Sequence, residues 1–331
     1  MDLDGDGYLD ILSGSWPGEL FLFKGLADRS FAAPVMLKDK DGQIINVGGG
    51  IEERSDGPGI LIKGSVEREK TDQGAFVTYR GKRIESTAER PIATTGTAST
   101  VRAADWDDDG DYDLIVGNIN GDVCLILNEG SATSYAFGKE RRLQAGGQPL
   151  GVRSRAGPCV ADWDGDGDLD LLVGAEDGSV SLFRNTGSAK SPELAAAAQL
   201  VPPGKAVYGA DAPKHPQRGI RSKLCVADWN GDGRLDLLVG DCATQKPDLP
   251  EPTAEEQAKY DQIRKDLEPL QRRYGELAEK LHGPSRVKTQ AERDQAHREF
   301  RETVEQMETL DSQLPKEYEM HGWIWLFLRK Q

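Results

Sequence analysis

An all-β repeat fold, with an antiparallel α-helical hairpin set into its last repeat, is the class this sequence predicts. Three observations carry that reading. One acidic pattern recurs four times, each copy leads into an apolar run of strand length, and a long stretch near the C-terminus has the composition of helices.

The acidic segments begin at the second residue of the chain. They are Asp2, Asp4, Asp6, Tyr8 and Asp10; Asp105, Asp107, Asp109, Asp111 and Asp113; Asp162, Asp164, Asp166, Asp168 and Asp170; and Asp228, Asn230, Asp232, Arg234 and Asp236. Their common form is D-x-[DN]-x-D-G-x-x-D. Oxygens at alternate positions of a tight loop converge on a hard cation that takes six to eight oxygen ligands, and the glycine after the third acid permits the positive φ of the turn. Calcium is therefore expected, at about four sites with a structural role. In such loops the residue after the glycine gives its backbone carbonyl, so Tyr8, Asp111, Asp168 and Arg234 enter as main-chain ligands. Asn230 keeps a ligand oxygen but carries no charge, which predicts a weaker fourth site.

An EF-hand begins the same way but needs a bidentate Glu at the twelfth position between two helices. Here that position holds Ser13, Val116, Val173 and Val239. Each loop runs on into Ile-Leu-Ser-Gly, Leu-Ile-Val-Gly or, twice, Leu-Leu-Val-Gly, short and strand-like. A second strand is expected at Glu19–Lys24, Asp122–Leu127, Ser179–Arg184 and Gly322–Arg329. Successive loops start about 57 residues apart for the second and third and about 66 for the third and fourth, sizes that suit a four-stranded propeller blade. The first interval is about 103 residues, and the excess falls in residues 48–97, read as a β-hairpin insertion or as a degenerate blade without metal.

These loops and their strands resemble the FG-GAP or VCBS-type repeats, which look like the calcium-bearing blades of the integrin α-type β-propeller. The resemblance implies that residues 1–246 and 320–331 form about four visible blades, each with its metal loop between the innermost strand and the next. The first blade lacks an inner strand and the last lacks an outer one. Either these halves complete one another in a ring of four, or the blades belong to a larger ring with an N-terminus upstream of Met1.

Residues 247–319 turn to Glu, Lys, Gln, Arg and Leu. Thr253 and Glu256 fit a capping box, and Tyr260, Ile263, Leu267, Leu270, Tyr274, Leu277 and Leu281 recur in alternating steps of three and four, a coiled-coil seam. Gly283-Pro284 ends this helix, and a second, from about Thr289 to Leu314, offers Phe300, Val304, Met307, Leu310 and Leu314. The two stripes either bury only each other or also hold a partner or a second copy.

Lys+Arg 41 against Asp+Glu 56 gives a net charge of -15, which disfavours nucleic acid and favours cations. No apolar stretch is long enough to span a membrane, and the first residues lack a secretory signal. The four cysteines form no CxxC pair and read as buried thiols, with a Cys225–Cys242 disulfide left open. Trp106, Trp163 and Trp229 share the second loop position, and this periodicity assigns them to packing between blades. His215, His282, His297 and His321 are scattered, and no hydrolase, metalloprotease or nucleotide-binding motif occurs. The chain thus reads as a non-catalytic interaction or adhesion scaffold, extracellular, at the cell surface or periplasmic as the resemblance implies, with a protein or carbohydrate ligand. A carbohydrate-binding propeller, or a lyase or hydrolase acting on polysaccharide, is the alternative.

Overall fold

The computed structural model describes residues 1–71, 74–282 and 289–330. It is mostly β, with 37% of residues in strands and two α-helices. Sheet 1 orders β1 (Ile11–Gly14), β2 (Leu20–Phe23) and β3 (Val35–Met36). The next segment forms two three-stranded sheets where a hairpin or a degenerate blade was expected. One joins β4 (Gly50–Glu53), β5 (Ile60–Lys63) and β9 (Ile92–Thr95), with β5 and β9 parallel. The other, inserted between them, is a meander of β6 (Glu67–Thr71), β7 (Gly74–Tyr79) and β8 (Lys82–Ser86). Ile60, Ile62, Val77 and Tyr79 give this pair a small core of its own.

Sheet 2 holds β10 (Thr100–Ala104), β11 (Asp113–Gly117), β12 (Val123–Ile126) and β13 (Arg141–Arg142), with a short hairpin of β14 (Gln144–Ala145) and β15 (Gln148–Pro149) after it. Sheet 3 repeats it with β16 (Gly157–Ala161), β17 (Asp170–Gly174), β18 (Val180–Phe183) and β19 (Ala198–Val201). In sheet 4, β20 (Ile220–Ala227) pairs with β21 (Asp236–Gln245), whose other edge takes β22 (Glu319–His321) and β23 (Ile324–Phe327). The register is the same in each: Ala104 faces Asp113, Ala161 faces Asp170 and Ala227 faces Asp236. The acidic loop therefore closes the hairpin between the first two strands.

Three cores separate the four sheets. Leu3, Leu20 and Leu22 meet Leu114, Val116 and Ile126 between sheets 1 and 2. Trp106, Ile115 and Leu125 meet Leu171 and Phe183 between sheets 2 and 3, and Cys159, Trp163 and Leu182 meet Leu237 and Val239 between sheets 3 and 4. Leu114 and Ile115 thus serve different cores although they are neighbours. A strand buried on both faces needs an unbroken apolar run, which is why Leu-Ile-Val-Gly does not alternate.

Residues 207–215 and 244–319 form a separate compact unit. Its helices are α1 (Ala254–His282), continuous through Pro269, and α2 (Gln290–Asp311). Both begin in capping boxes: Glu256 N donates to Thr253 Oγ1 at 3.3 Å while Thr253 N donates back to Glu256 Oε2 at 2.8 Å, and Thr289 with Glu292 repeats the motif. Arg273 pairs with Glu299, Tyr274 lies 4.9 Å from Phe300, and Leu267 lines one pocket with Met307, the order of an antiparallel pair. Ile263, Leu267 and Leu277 are buried in the seam. The Gly283-Pro284 break lies outside the described residues.

All four cysteines are free, and Cys225 is exposed although Cys124 and Cys159 are buried. Burial pushes the Cys124 thiol up to about 12. No helix is long and apolar enough to cross a membrane among the described residues.

Candidate metal centres

Each acidic loop is shaped by its own first carboxylate. Asp105 Oδ1 accepts the amide of Asp109 at 3.0 Å and its Oδ2 that of Gly110 at 3.1 Å, while Asp109 Oδ1 accepts the amide of Asp111 at 3.1 Å. The same three bonds recur from Asp2 and Asp6, from Asp162 and Asp166, and from Asp228 and Asp232. The amides of Tyr8, Asp168 and Arg234 are the donors in the last of these. Positive φ occurs at Gly110 and its equivalents, as the turn requires, and again two residues earlier, where the second loop places Asp108 at φ 54. Aspartate is among the few side chains that accept this region, because it bonds locally.

The last carboxylate of each loop is a latch. Asp113 Oδ2 accepts the amide of Trp106 at 3.1 Å and Oδ1 that of Asn128 at 2.7 Å, tying the start of the loop to the end of β12. Asp10 does the same for Leu3 and Gly25, Asp170 for Trp163 and Asn185, and Asp236 for Trp229 and Arg329. All four are buried. The sequence assigned them to the metal; in the structure both oxygens of each hold backbone amides, and of the four only Asp170 also joins a carboxylate cluster.

Those clusters are Asp2 with Asp4 and Asp6, Asp105 with Asp107 and Asp109, and Asp162 with Asp164 and Asp170, each with oxygens mutually within 4.8 Å. The fourth loop gathers no such carboxylate trio among the described residues. There Asn230 Nδ2 donates to Asp232 Oδ2 at 3.1 Å. In the other three loops the same atom at the same position, Oδ1 of Asp4, Asp107 and Asp164, is buried without a hydrogen-bond partner, as is Asp111 Oδ1. A buried carboxylate oxygen left unpaired is costly, and a hard cation is the partner that oxygen-only surroundings fit. Lys24 bonds Asp4, and Arg184 lies 3.5 Å from Asp164, but both reach the other oxygen, Oδ2.

Electrostatics point the same way. Burial, then the charges of Asp109 and Asp105, raise the Asp107 carboxyl above its ordinary range; burial, then Asp109 and Asp107, raise Asp111. Burial pushes Asp113 up to about 7 against the opposing effect of its two amide bonds. The calcium-free folded state therefore binds protons that the unfolded chain releases. This contribution to stability is complete below the ordinary carboxylate value and lost as pH rises through about 7. Protein stripped on a chelating resin should accordingly show a higher urea midpoint at pH 5 than at pH 8, and saturating calcium should abolish that difference.

A second repeat signal follows the second and third latches. Asn128 Oδ1 accepts the amides of Gly130 and Ala136, and Asn185 Oδ1 those of Gly187 and Glu193, so Asn-Glu-Gly-Ser-Ala and Asn-Thr-Gly-Ser-Ala build one turn twice. The recurrence was there to be read in the sequence.

A family profile described as the FG-GAP-like repeat matches residues 105–173 and 162–239. The chain carries FG-GAP-like repeats. Their loops and hairpins are those of sheets 2, 3 and 4. The chain is also 47% identical over 149 residues to integrin alpha-4 of Xenopus laevis, a match covering 42% of this chain and 13% of that protein. Among solved structures, a Photorhabdus luminescens Tc holotoxin pore matches 72% of this chain and 13% of its own at 17% identity and a TM-score of 0.30. An Agrocybe aegerita lectin that recognises non-reducing terminal N-acetylglucosamine matches 73% and 61% at 17% identity and 0.29. Scores this low carry no argument, and the FG-GAP-like repeats and the integrin relationship rest on sequence.

Proposed function

We propose that this chain is a non-catalytic, calcium-stabilised β-propeller scaffold that presents its blades for adhesion-type contact with a protein partner outside the cytoplasm. The observation that carries the calcium role is the unpartnered, buried Oδ1 of Asp4, Asp107 and Asp164, one equivalent atom in three loops. Calcium there cross-links the loop, and weak sites of this kind fill at concentrations on the order of millimolar, as found outside cells. The FG-GAP-like repeats and the likeness to integrin alpha-4 support the scaffold role and the surface location. Of the three loop tryptophans, Trp106 and Trp163 are buried between sheets and closed to a stacked sugar, whereas Trp229, expected to pack between blades, is exposed.

Calorimetric titration of calcium into the stripped protein tests the reading. Three binding events with a weaker fourth are expected, and Asp164→Ala should remove one of the three. A protein that binds no calcium would end the proposal.

A further inference from the structure

Between sheets 2 and 3 a cleft of about 730 Å³ opens beside the second acidic loop. Its floor is apolar: Trp106, Leu125 and Leu194 belong to the core beneath it, and half-buried Leu127 and Leu143 extend that surface toward solvent. The volume falls in the range of built ligand sites, about 300 to 1,000 Å³.

The repeat explains why the space is there. The residue that follows the second strand is Lys24 in sheet 1 and Arg184 in sheet 3, and each reaches the second acid of its own loop, Asp4 and Asp164. Sheet 2 places Leu127 at that position. A leucine cannot answer a carboxylate, so Asp107 has no ion-pair partner among the described residues, and the room that a long basic side chain would take is left to the cleft. Between sheets 3 and 4 the corresponding tryptophan is covered as well: Arg329 donates to the carbonyl of Trp163 and sets its guanidinium 5.2 Å from the ring centre.

Arg141 on β13 and Lys190 on the turn after β18 bring one cation from each of the two sheets. Both are exposed, and among the described residues neither side chain has an ion-pair or hydrogen-bond partner. Arg142, by contrast, is held by Asp122 at 2.7 Å and by the Leu150 carbonyl at 3.0 Å. Three basic residues thus meet two acidic ones, Asp107 and Glu193, around the cleft, in a chain whose net charge is -15. A local excess of positive charge on so acidic a molecule selects an anionic ligand.

We infer that this cleft docks an acidic segment of a partner protein, with a large aliphatic side chain against Leu127 and Leu143 and carboxylates on Arg141 and Lys190. The leucine surface favours a peptide over a sugar, because the aromatic ring of the lining, Trp106, is 3% exposed and offers no face to stack on. The inference rests on the adhesion reading, to which it gives a location, and it does not need bound calcium.

The probe is a fluorescein-labelled, C-terminally amidated peptide Glu-Leu-Asp-Leu-Glu, followed by anisotropy against the full chain in saturating calcium, with Lys-Leu-Lys-Leu-Lys as the control. Binding of the acidic peptide and none of the basic one is expected. Arg141→Glu and, independently, Lys190→Glu should each weaken it about tenfold, as reversal of a rim charge does. Leu127→Arg gives sheet 2 the residue that sheet 3 carries, and should fill the cleft and abolish binding with the circular dichroism unchanged. Calcium titration of the same proteins is read separately, so peptide binding without calcium binding would end the calcium reading and support this one. No binding of the acidic peptide at millimolar concentration, equal binding of the two peptides, or indifference to all three substitutions would overturn the proposal. So would a heparin tetrasaccharide that binds through Arg141 and Lys190 where the peptide does not.

Discussion

Asp113→Ala is expected to lower the unfolding free energy by about 4 kcal/mol, the cost of stranding two buried amides at about 1–3 kcal/mol each. The donors left behind are Trp106 N and Asn128 N. Each anchors something further. Trp106 is a plug of the core between sheets 2 and 3, and Asn128 organises the turn that comes after β12. Urea denaturation of the calcium-free variant measures the latch apart from any metal. Asp113→Asn keeps one acceptor and should cost about half as much. A loss below about 1 kcal/mol for the alanine variant would mean that solvent or a rearranged loop satisfies both amides, and the latch would not be what fixes the loop.

The second large effect changes sign with calcium. Without the ion, Asp107 is a partly buried charge beside Asp105 and Asp109 with one oxygen unpaired, so Asp107→Asn should be neutral or stabilising by up to about 1 kcal/mol. With calcium at a hundred times the dissociation constant, an intact site contributes about 2.7 kcal/mol, and the variant should lose most of it. Thermal melts of wild type and variant in chelator and in calcium therefore cross. Parallel shifts in the two conditions would show that Asp107 does not report on an ion. Asp232→Asn in the fourth loop, where no carboxylate trio gathers among the described residues, should give a smaller crossing.

Much of this was legible because the signals are local. A D-x-[DN]-x-D-G loop needs only its own residues to close, and Thr253 with Glu256 caps α1 from four residues of sequence. The strands after the loops were readable because burial on both faces demands continuous apolar runs. Residues 67–71 were not, since β6 flanks β7 as a charged, largely exposed edge with no alternation to read. The different fates of Trp163 and Trp229, and of Cys159 and Cys225, were invisible for another reason. Their own segments match, and burial is decided by a neighbour that local sequence does not specify. The dual bonding of Asp10, Asp113, Asp170 and Asp236 was missed because an acid in an acidic loop reads as a ligand before it reads as an acceptor of amides.

The span of those bonds has a kinetic meaning. Asp10, Asp113 and Asp170 each reach a residue 15 positions on, whereas Asp236 reaches Arg329 across 93, because the helical unit lies between β21 and β23. Closing the longer loop costs about 1.6 kcal/mol more in chain entropy. Sheets 2 and 3 can therefore zip from nearby contacts while the final strand is still searching, and α1 and α2 pair early by contacts of their own. Until β23 arrives, β21 keeps an unpaired edge rich in Leu and Val, the kind of surface that seeks strands from other chains. Refolding at high protein concentration should be most hazardous in that interval, and the slowest fluorescence phase should belong to Trp323 and Trp325, which arrive with it.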